Sequence, residues 1–204
     1  MDTESSSYPV TVRGELSSPP GGGWWLLKWL LAFPHYIVLA FLWVAFAFVS
    51  IVAFFAILIV GRYPRGLFTF NTGVMRWTWR VGFYSYQALA TDRYPPFSLG
   101  PDPDYPADLD IPYPERLSRG RALVKWWLLA IPHYIVVGVF MGGNQGGGMV
   151  FLLAIYGAVA RLFTGRYPPD LFKLVVGMNR WSIRVGAYAA LMRDEYPPFR
   201  LWDE

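Results

Sequence analysis

The chain of 204 residues has no cysteine. Disulfides, a thiolate nucleophile and cysteine-based metal sites are therefore excluded. It has two histidines, His35 and His133, too few for the three or four protein ligands that a zinc site takes. Charge is scarce too. Asp, Glu, Lys and Arg make up 16%, against about 25% in soluble domains. Two stretches carry none at all, between Lys28 and Arg62 and between Lys125 and Arg161. With no carboxylate inside them, an intramembrane acid–base relay has no group to run through. The sequence also lacks a Ser-His-Asp set and a zinc-protease motif. Its glycine-rich stretch, Gly142–Gly148, lacks the Gly-Lys-Ser/Thr ending of a phosphate loop. The reading is of a non-enzyme, with no cofactor and no metal implied.

What is present is apolar and aromatic. Hydrophobic residues make up 54%, with 10 Trp and 13 Tyr. About 20 apolar residues suffice to cross a bilayer core, and each uncharged stretch exceeds that. Trp24, Trp25, Trp29, Trp126 and Trp127 flank the stretches, where an amphipathic ring settles at headgroup level. Net charge is +4, which in a membrane protein points to cytoplasmic loops and anionic lipid. The arginines are spread out rather than clustered, so nucleic acid is not an expected partner. Residues 1–7 form a polar tail whose opening, Met1-Asp2-Thr3-Glu4-Ser5, is unlike the basic start of a signal peptide. The first apolar run is expected to stay in the mature protein.

Both apolar stretches open with the same words, Lys28-Trp29-Leu30-Leu31-Ala32-Phe33-Pro34-His35-Tyr36 and Lys125-Trp126-Trp127-Leu128-Leu129-Ala130-Ile131-Pro132-His133-Tyr134. The duplication extends further. Tyr8-Pro9 matches Tyr105-Pro106 at a shift of 97, and Pro34-His35-Tyr36 matches Pro132-His133-Tyr134 at 98. Gly61-Arg62-Tyr63-Pro64 matches Gly165-Arg166-Tyr167-Pro168 at 104, as do Arg76-Trp77 and Arg80-Val81 with Arg180-Trp181 and Arg184-Val185. Tyr94-Pro95-Pro96-Phe97 matches Tyr196-Pro197-Pro198-Phe199 at 102. The jump from 98 to 104 places a six-residue insertion in the Gly142–Gly148 stretch. Two tandem repeats follow, residues 8–104 and 105–204.

Each repeat reads in four parts. A short alternating segment, Val10–Arg13 or Asp108–Ile111, suggests a brief strand. The apolar run comes next. A helix of about 25 residues follows, Gly66–Thr91 or Asp170–Asp194, and Tyr-Pro-Pro-Phe closes it because proline cannot continue a helix. Phe97–Leu99 and Phe199–Leu201 are candidate strands, and the four strand segments would pair as one small sheet outside the bilayer. The third part carries a polar stripe of Thr69, Thr72, Arg76, Arg80, Gln87 and Thr91 at helical spacing, with Lys173, Arg180 and Arg184 in the second repeat. That pattern fits an amphipathic helix lying in the membrane interface. The pairs Arg76/Arg80 and Arg180/Arg184 are candidate sites for a lipid phosphate, since the guanidinium is a planar multi-donor fork. His35, His133, Arg62 and Arg166 are repeated without an evident role; a packed or interfacial histidine just after a helix-starting proline is the simpler reading of the histidines. The acidic stretch Asp102, Asp104, Asp108 and Asp110 reads as a solvated linker between repeats.

If each apolar run crossed once, the 18 basic residues would divide nine and nine, leaving no positive-inside bias. If each run is a hairpin, all of them stay cytoplasmic, as the rule prefers. A run of 37 residues from Trp24 to Val60, about 55 Å as one helix, also exceeds a core of about 30 Å. A hairpin is favoured, with its tip in the second run at Gly142–Gly148. A kinked single span broken at Pro34 is the other form.

The paired motifs Trp-Leu-Leu-Ala-x-Pro-His-Tyr-Ile-Val, Gly-Arg-Tyr-Pro-x-x-Leu-Phe, Arg-Trp-x-x-Arg-Val and Asp-x-Tyr-Pro-Pro-Phe resemble bacterial membrane proteins grouped as domain of unknown function 4389. The resemblance runs from about Tyr8 to Phe199 and implies a membrane protein with no catalytic residues to carry over. The expected fold is all-α integral membrane, built from two tandem repeats of an apolar embedded segment and an amphipathic interfacial helix. The expected place is the bacterial cytoplasmic (inner) membrane. The expected role is a non-enzymatic accessory, scaffold or lipid-organising module in contact with anionic lipid or a membrane partner. A small oligomeric transporter or channel is the alternative, since duplication is common among transporters.

Overall fold

The computed structural model describes residues 8–16, 22–142 and 148–202. The order of elements is β1 (Thr11–Gly14), α1 (Lys28–Val60), α2 (Arg65–Tyr84), β2 (Ala107–Asp110), α3 (Arg119–Val124), α4 (Ile131–Met141), α5 (Met149–Thr164) and α6 (Pro169–Ala189). A 3-10 turn, Gly22–Leu27, leads into α1, and a π turn, Lys125–Leu129, joins α3 to α4.

The first apolar run is one unbroken helix of 33 residues, α1. The expected hairpin is therefore corrected for the first repeat, and so is the break at Pro34, which lies inside α1. No glycine interrupts the run between His35 and Val60, so nothing provides a reversal. Gly61 ends the helix in the left-handed conformation, φ 76°, with its N–H returned to the Ile57 carbonyl. Four residues later α2 starts and runs back antiparallel along α1: Trp77 meets His35 and Asn71 meets Ser50. The buried residues of α1, among them Ala32, His35, Leu39, Phe46, Ala53 and Ile57, recur at multiples of about 3.5 and form the face that α2 covers.

In the second repeat the same length of helix is divided. Residues 119–129 meet α4 at a bend of 47°, and α4 ends at Gly142, φ 86°. The expected tip, with Asn144 and Gln145, lies outside the described residues, as does the polar tail 1–7. The chain returns close to its starting point: a Cβ on Gly148 would run into the Gly142 nitrogen and the Met141 carbonyl carbon. By the repeat alignment Met141 and Gly148 correspond to consecutive residues, Trp43 and Val44. The insertion thus leaves and rejoins the helix path at one place, and α6 packs along both α4 and α5 as α2 packs along α1.

The third part of each repeat is shorter than expected and differently placed. α2 stops at Tyr84 and α6 at Ala189, well before Tyr-Pro-Pro-Phe. A compact turn ends each, with Gln87 N–H bonded to Gly82 O and Met192 N–H to Ala187 O. Leu89 and Leu191 take φ of 51° and 64° there, a conformation normally left to glycine, so no stop signal is written in the residues at these points. Nor is the polar stripe free along its length, although Thr69 and Lys173 are exposed. Arg76, Arg80 and Thr72 of α2 are buried, because α2 lies between α1 on one side and the strands on the other. Phe97–Leu99 and Phe199–Leu201 are irregular loops; β1 and β2 are the strands among the described residues.

β1 and β2 pair antiparallel, with Val12 opposite Leu109 and Arg13 opposite Asp108. Val12 and Leu109 are equivalents at the shift of 97, so a pseudo-twofold axis passes through this pair. The same axis continues through the helices. One cavity of about 220 Å³ is lined by the equivalent pairs Met75/Asn179, Thr78/Ser182 and Trp43/Met141. Three layers are stacked along the axis: the strand pair, then α2 with α6, then α1 with the antiparallel α3–α5 row. At the ends of that last layer Arg119 reaches the Ile59 carbonyl (2.8 Å), and α5 packs on the 3-10 turn before α1.

Among the described residues one helix, Trp25–Val60, is long and apolar enough to cross a membrane. The bent pair Arg119–Leu129 and Ile131–Met141 makes a second if counted as one span. Within the most apolar window of the first, 17% is buried.

Candidate functional site: a clamp built twice

The repeated motif residues converge at the head of each apolar helix. Lys28, fully enclosed, donates to the Thr91 carbonyl (2.7 Å) and pairs with Asp92 (2.9 Å) beneath the Tyr84 ring. Lys125 repeats this with the Arg193 carbonyl (2.8 Å), Asp194 (2.9 Å) and Tyr188. A buried ammonium persists only where such partners replace its water shell. Two turns on, His35 and His133 are both completely buried. Trp77 Nε1–H donates to His35 Nδ1 (3.1 Å), and Trp181 Nε1–H to His133 Nδ1 (3.0 Å). Because Nδ1 accepts, the proton of each neutral imidazole is on Nε2. Phe97 stacks on His35 at 3.9 Å and Phe199 on His133 at 4.2 Å, with Tyr94 and Tyr196 tilted beside them. Tyr94 Oη–H reaches the Leu31 carbonyl (3.0 Å) and Tyr196 Oη–H the Leu129 carbonyl (3.2 Å), each in the turn before the motif proline.

The Tyr-Pro-Pro-Phe loop is thus not merely a helix stop. It is the jaw that closes on the lysine and histidine at the head of the apolar helix, with six residues between them in the first copy and seven in the second. Lys28, His35 and Trp77 are joined to Asp92, Tyr94 and Phe97 by stacking, one charged pair and directed hydrogen bonds. Among the described residues no group of three or more His, Cys, Asp or Glu is placed to hold a metal ion.

The arginine pairs are engaged inside the molecule, and across the repeats. Arg76 donates to the Leu109 carbonyl (2.8 Å) and the Leu99 carbonyl (3.0 Å), and its Nε lies 3.1 Å from Asp108. Arg80 pairs with Asp108 (2.9 Å) and donates to the Gly100 carbonyl (2.9 Å). In the second copy Arg180 donates to the Leu201 and Val12 carbonyls, each at 3.4 Å, and Arg184 to the Val10 carbonyl at 3.3 Å. Each pair of arginines therefore holds the strand that opens the other repeat. Burial disfavours the charged form of Arg80, and Asp108 offsets this. Asp108 is accordingly not part of a solvated linker; its side chain is 20% exposed. Tyr8 and Tyr105 finish the exchange, bonding to the Glu195 and Arg93 carbonyls at 3.1 Å each, and burial pushes both phenols above their usual range.

Arg62 and Arg166 are exposed at the C-terminal ends of α1 and α5, so the structure does not bring them to the clamps. Sequence reasoning missed Asp92, Asp194 and Asp108. Asp92 and Asp194 were visible as repeated residues whose natural partners are the repeated Lys28 and Lys125. Asp108 had no such signal, because its repeat equivalent is Thr11.

Between α1 and the α4–α5 row runs a cleft of about 600 Å³, lined by Tyr36, Trp43, Ser85 and Gln87 among others. A second cleft of about 410 Å³ lies between Ser50–Phe55 and Trp126 with Tyr134. They are equivalents: Tyr36 corresponds to Tyr134, Ser85 to Ala189 and Gln87 to Leu191.

These features define a class: a duplicated helical hairpin, each copy locked by a Lys–Asp and His–Trp–Phe clamp and tied to its twin by exchanged strands. The model of the family described as Domain of unknown function (DUF4389) matches residues 24–98 and 121–200, one segment for each hairpin with its jaw, and the chain belongs to that family. No curated protein and no solved structure matches it.

Proposed function

We propose that the chain is a non-enzymatic protein of the bacterial inner membrane, serving as an accessory or lipid-organising module. The observation that carries this reading is the uncovered side of α1. Phe41, Val44, Phe48, Phe55 and Ile59 are each more than half exposed, with Phe41 at 74%. The core helix of a soluble protein would bury such residues, since leaving one in water forgoes about 1.5–3 kcal/mol. A surface of this size and continuity is expected to be covered by lipid or by a membrane partner.

The lipid contact is assigned to the exposed arginines at the helix ends, Arg62, Arg65, Arg116, Arg119 and Arg166, rather than to Arg76, Arg80, Arg180 and Arg184, which bond to the strands inside the molecule. The clamps hold geometry and carry no reaction. The test is mass spectrometry of the native protein in mild detergent, identifying every lipid and protein retained. A retained anionic lipid class or a stoichiometric protein partner supports the reading. A protein that retains neither, yet passes a solute in a proteoliposome flux assay, would replace it with the transporter reading, for which the cleft at Tyr36, Ser85 and Gln87 is the available route.

A further inference from the structure

The geometry points to a one-sided placement: α1 and the α3–α5 row lie in the plane of one leaflet, with the pseudo-twofold axis along the membrane normal. The partner surface is a single lipid leaflet with anionic headgroups. This rests on the membrane reading above and goes beyond it.

Three observations carry it. The first is length. As 33 residues, α1 is about 50 Å long, and its exposed apolar residues continue from Trp29 to Val60. To fit a hydrocarbon core of about 30 Å it would have to tilt beyond the roughly 40° that spanning helices reach. A helix lying flat meets no such limit. The second is the strand pair. It sits on the axis, packed against the middle of α2 through Arg76 and Arg80. If α1 and α2 stood upright, β1 and β2 would lie at mid-bilayer. The side chains of Asp110 and Glu15 are 73% and 63% exposed there, and that of Arg13 37%. Each charge would cost on the order of 2.5–3.5 kcal/mol at that depth, and an open two-stranded pair does not occur against lipid. Laid flat, the same strands face water, two layers above the apolar face. The third is charge. The axis puts Arg62 and Arg119 at one end of the apolar face and Arg166 at the other. An upright molecule would divide these between the two sides of the membrane, whereas a flat one keeps every basic residue on a single side, as the positive-inside preference favours. The arrangement reaches by another route the one-sidedness that a hairpin in each repeat would have given.

The test uses the absence of native cysteine. Single variants Arg62→Cys, Arg166→Cys and Asp110→Cys are made in the full chain in its native membrane. Right-side-out and inside-out vesicles are then treated with a membrane-impermeant maleimide. The expected result is labelling of all three in inside-out vesicles and loss of labelling of all three in right-side-out ones. Labelling of Arg62→Cys and Arg166→Cys in opposite preparations overturns the placement. A second readout is depth, from spin labels at Phe41→Cys, Phe48→Cys and Ile59→Cys with oxygen and a polar nickel relaxant. The three depths should agree within about 5 Å, one helix turn. A gradient approaching the roughly 16 Å of axial rise between residues 48 and 59 overturns it. If alkaline carbonate strips the chain from the membrane, the membrane reading falls, and this inference with it; opposite-side labelling removes only the one-sided placement.

Discussion

The two copies of the hairpin do the same job with different continuity. The first carries its apolar residues on one helix, Lys28–Val60. The second spreads them over α3, a π turn, α4 and α5, with an insertion between the last two. The contacts that survive this difference are the polar ones. Lysine to aspartate, indole to imidazole, phenyl on imidazole and tyrosine to the pre-proline carbonyl recur with distances differing by a few tenths of an ångström. An apolar helix against lipid gains no positional information from hydrophobicity, because all its outer neighbours are alike. Directed contacts at its head supply the register instead. Where the copies differ in charge, Asp108 anchors Arg76 and Arg80, whereas its equivalent is Thr11, and the contacts of Arg180 and Arg184 include the Val12 and Val10 carbonyls.

The largest effects are expected where a buried charge loses its partner. Lys125→Ala leaves Asp194, 18% exposed, without its ammonium, and should cost about 3–5 kcal/mol in denaturant unfolding in detergent. Lys28→Ala should cost less, because Asp92 is 38% exposed; equal losses would show that the two clamps are not distinguished by solvation. Asp108→Ala should fall in the range of Lys125→Ala, about 3–5 kcal/mol, since two buried guanidinium groups lose their carboxylate.

Steric locks come next. Gly73 and Gly177 lie against the loops after the jaws. A Cβ at Gly73 would fall 2.7 Å from the Leu99 Cβ and 2.9 Å from its carbonyl oxygen, and one at Gly177 2.9 Å from the Leu201 oxygen. Gly73→Ala and Gly177→Ala should each cost about 1–3 kcal/mol, the first more than the second, read from thermal unfolding. Smaller still are Trp77→Phe and Trp181→Phe, which remove one neutral hydrogen bond to a histidine, about 1 kcal/mol each. The account requires the two to match; a loss in one copy alone would mean that one histidine serves a different purpose. Smallest is deletion of Gly142–Gly147, which joins Met141 to Gly148 as Trp43 joins Val44. Helical circular dichroism should persist, with a stability change within about 0.5 kcal/mol, the range of neutral surface changes.

Much of this plan was legible in the residues. The duplication, its shifts and the place of the insertion follow from matched words alone, and the proline-histidine motif marked the helix heads. The unbroken α1 was not read because overall length and charge count argued for a reversal, while the local composition from His35 to Val60, free of glycine and proline, argued for none and prevailed. The arginine stripe on α2 was visible, but a stripe that faces a strand and one that faces a headgroup have the same helical period. Only the exchange of strands decides between them, and that is a contact across some 30 to 170 residues. Leu89 and Leu191 could not be anticipated as turn residues, since leucine carries no local preference for positive φ.

If the uncovered face of α1 and α3–α5 is a lipid-facing surface, the full-length chain stays with native membranes through alkaline carbonate extraction. Quantified in pellet and supernatant, it is expected in the pellet and released only by detergent. Recovery in the supernatant without detergent would mean that the apolar face is not held by lipid, and the membrane reading would fall.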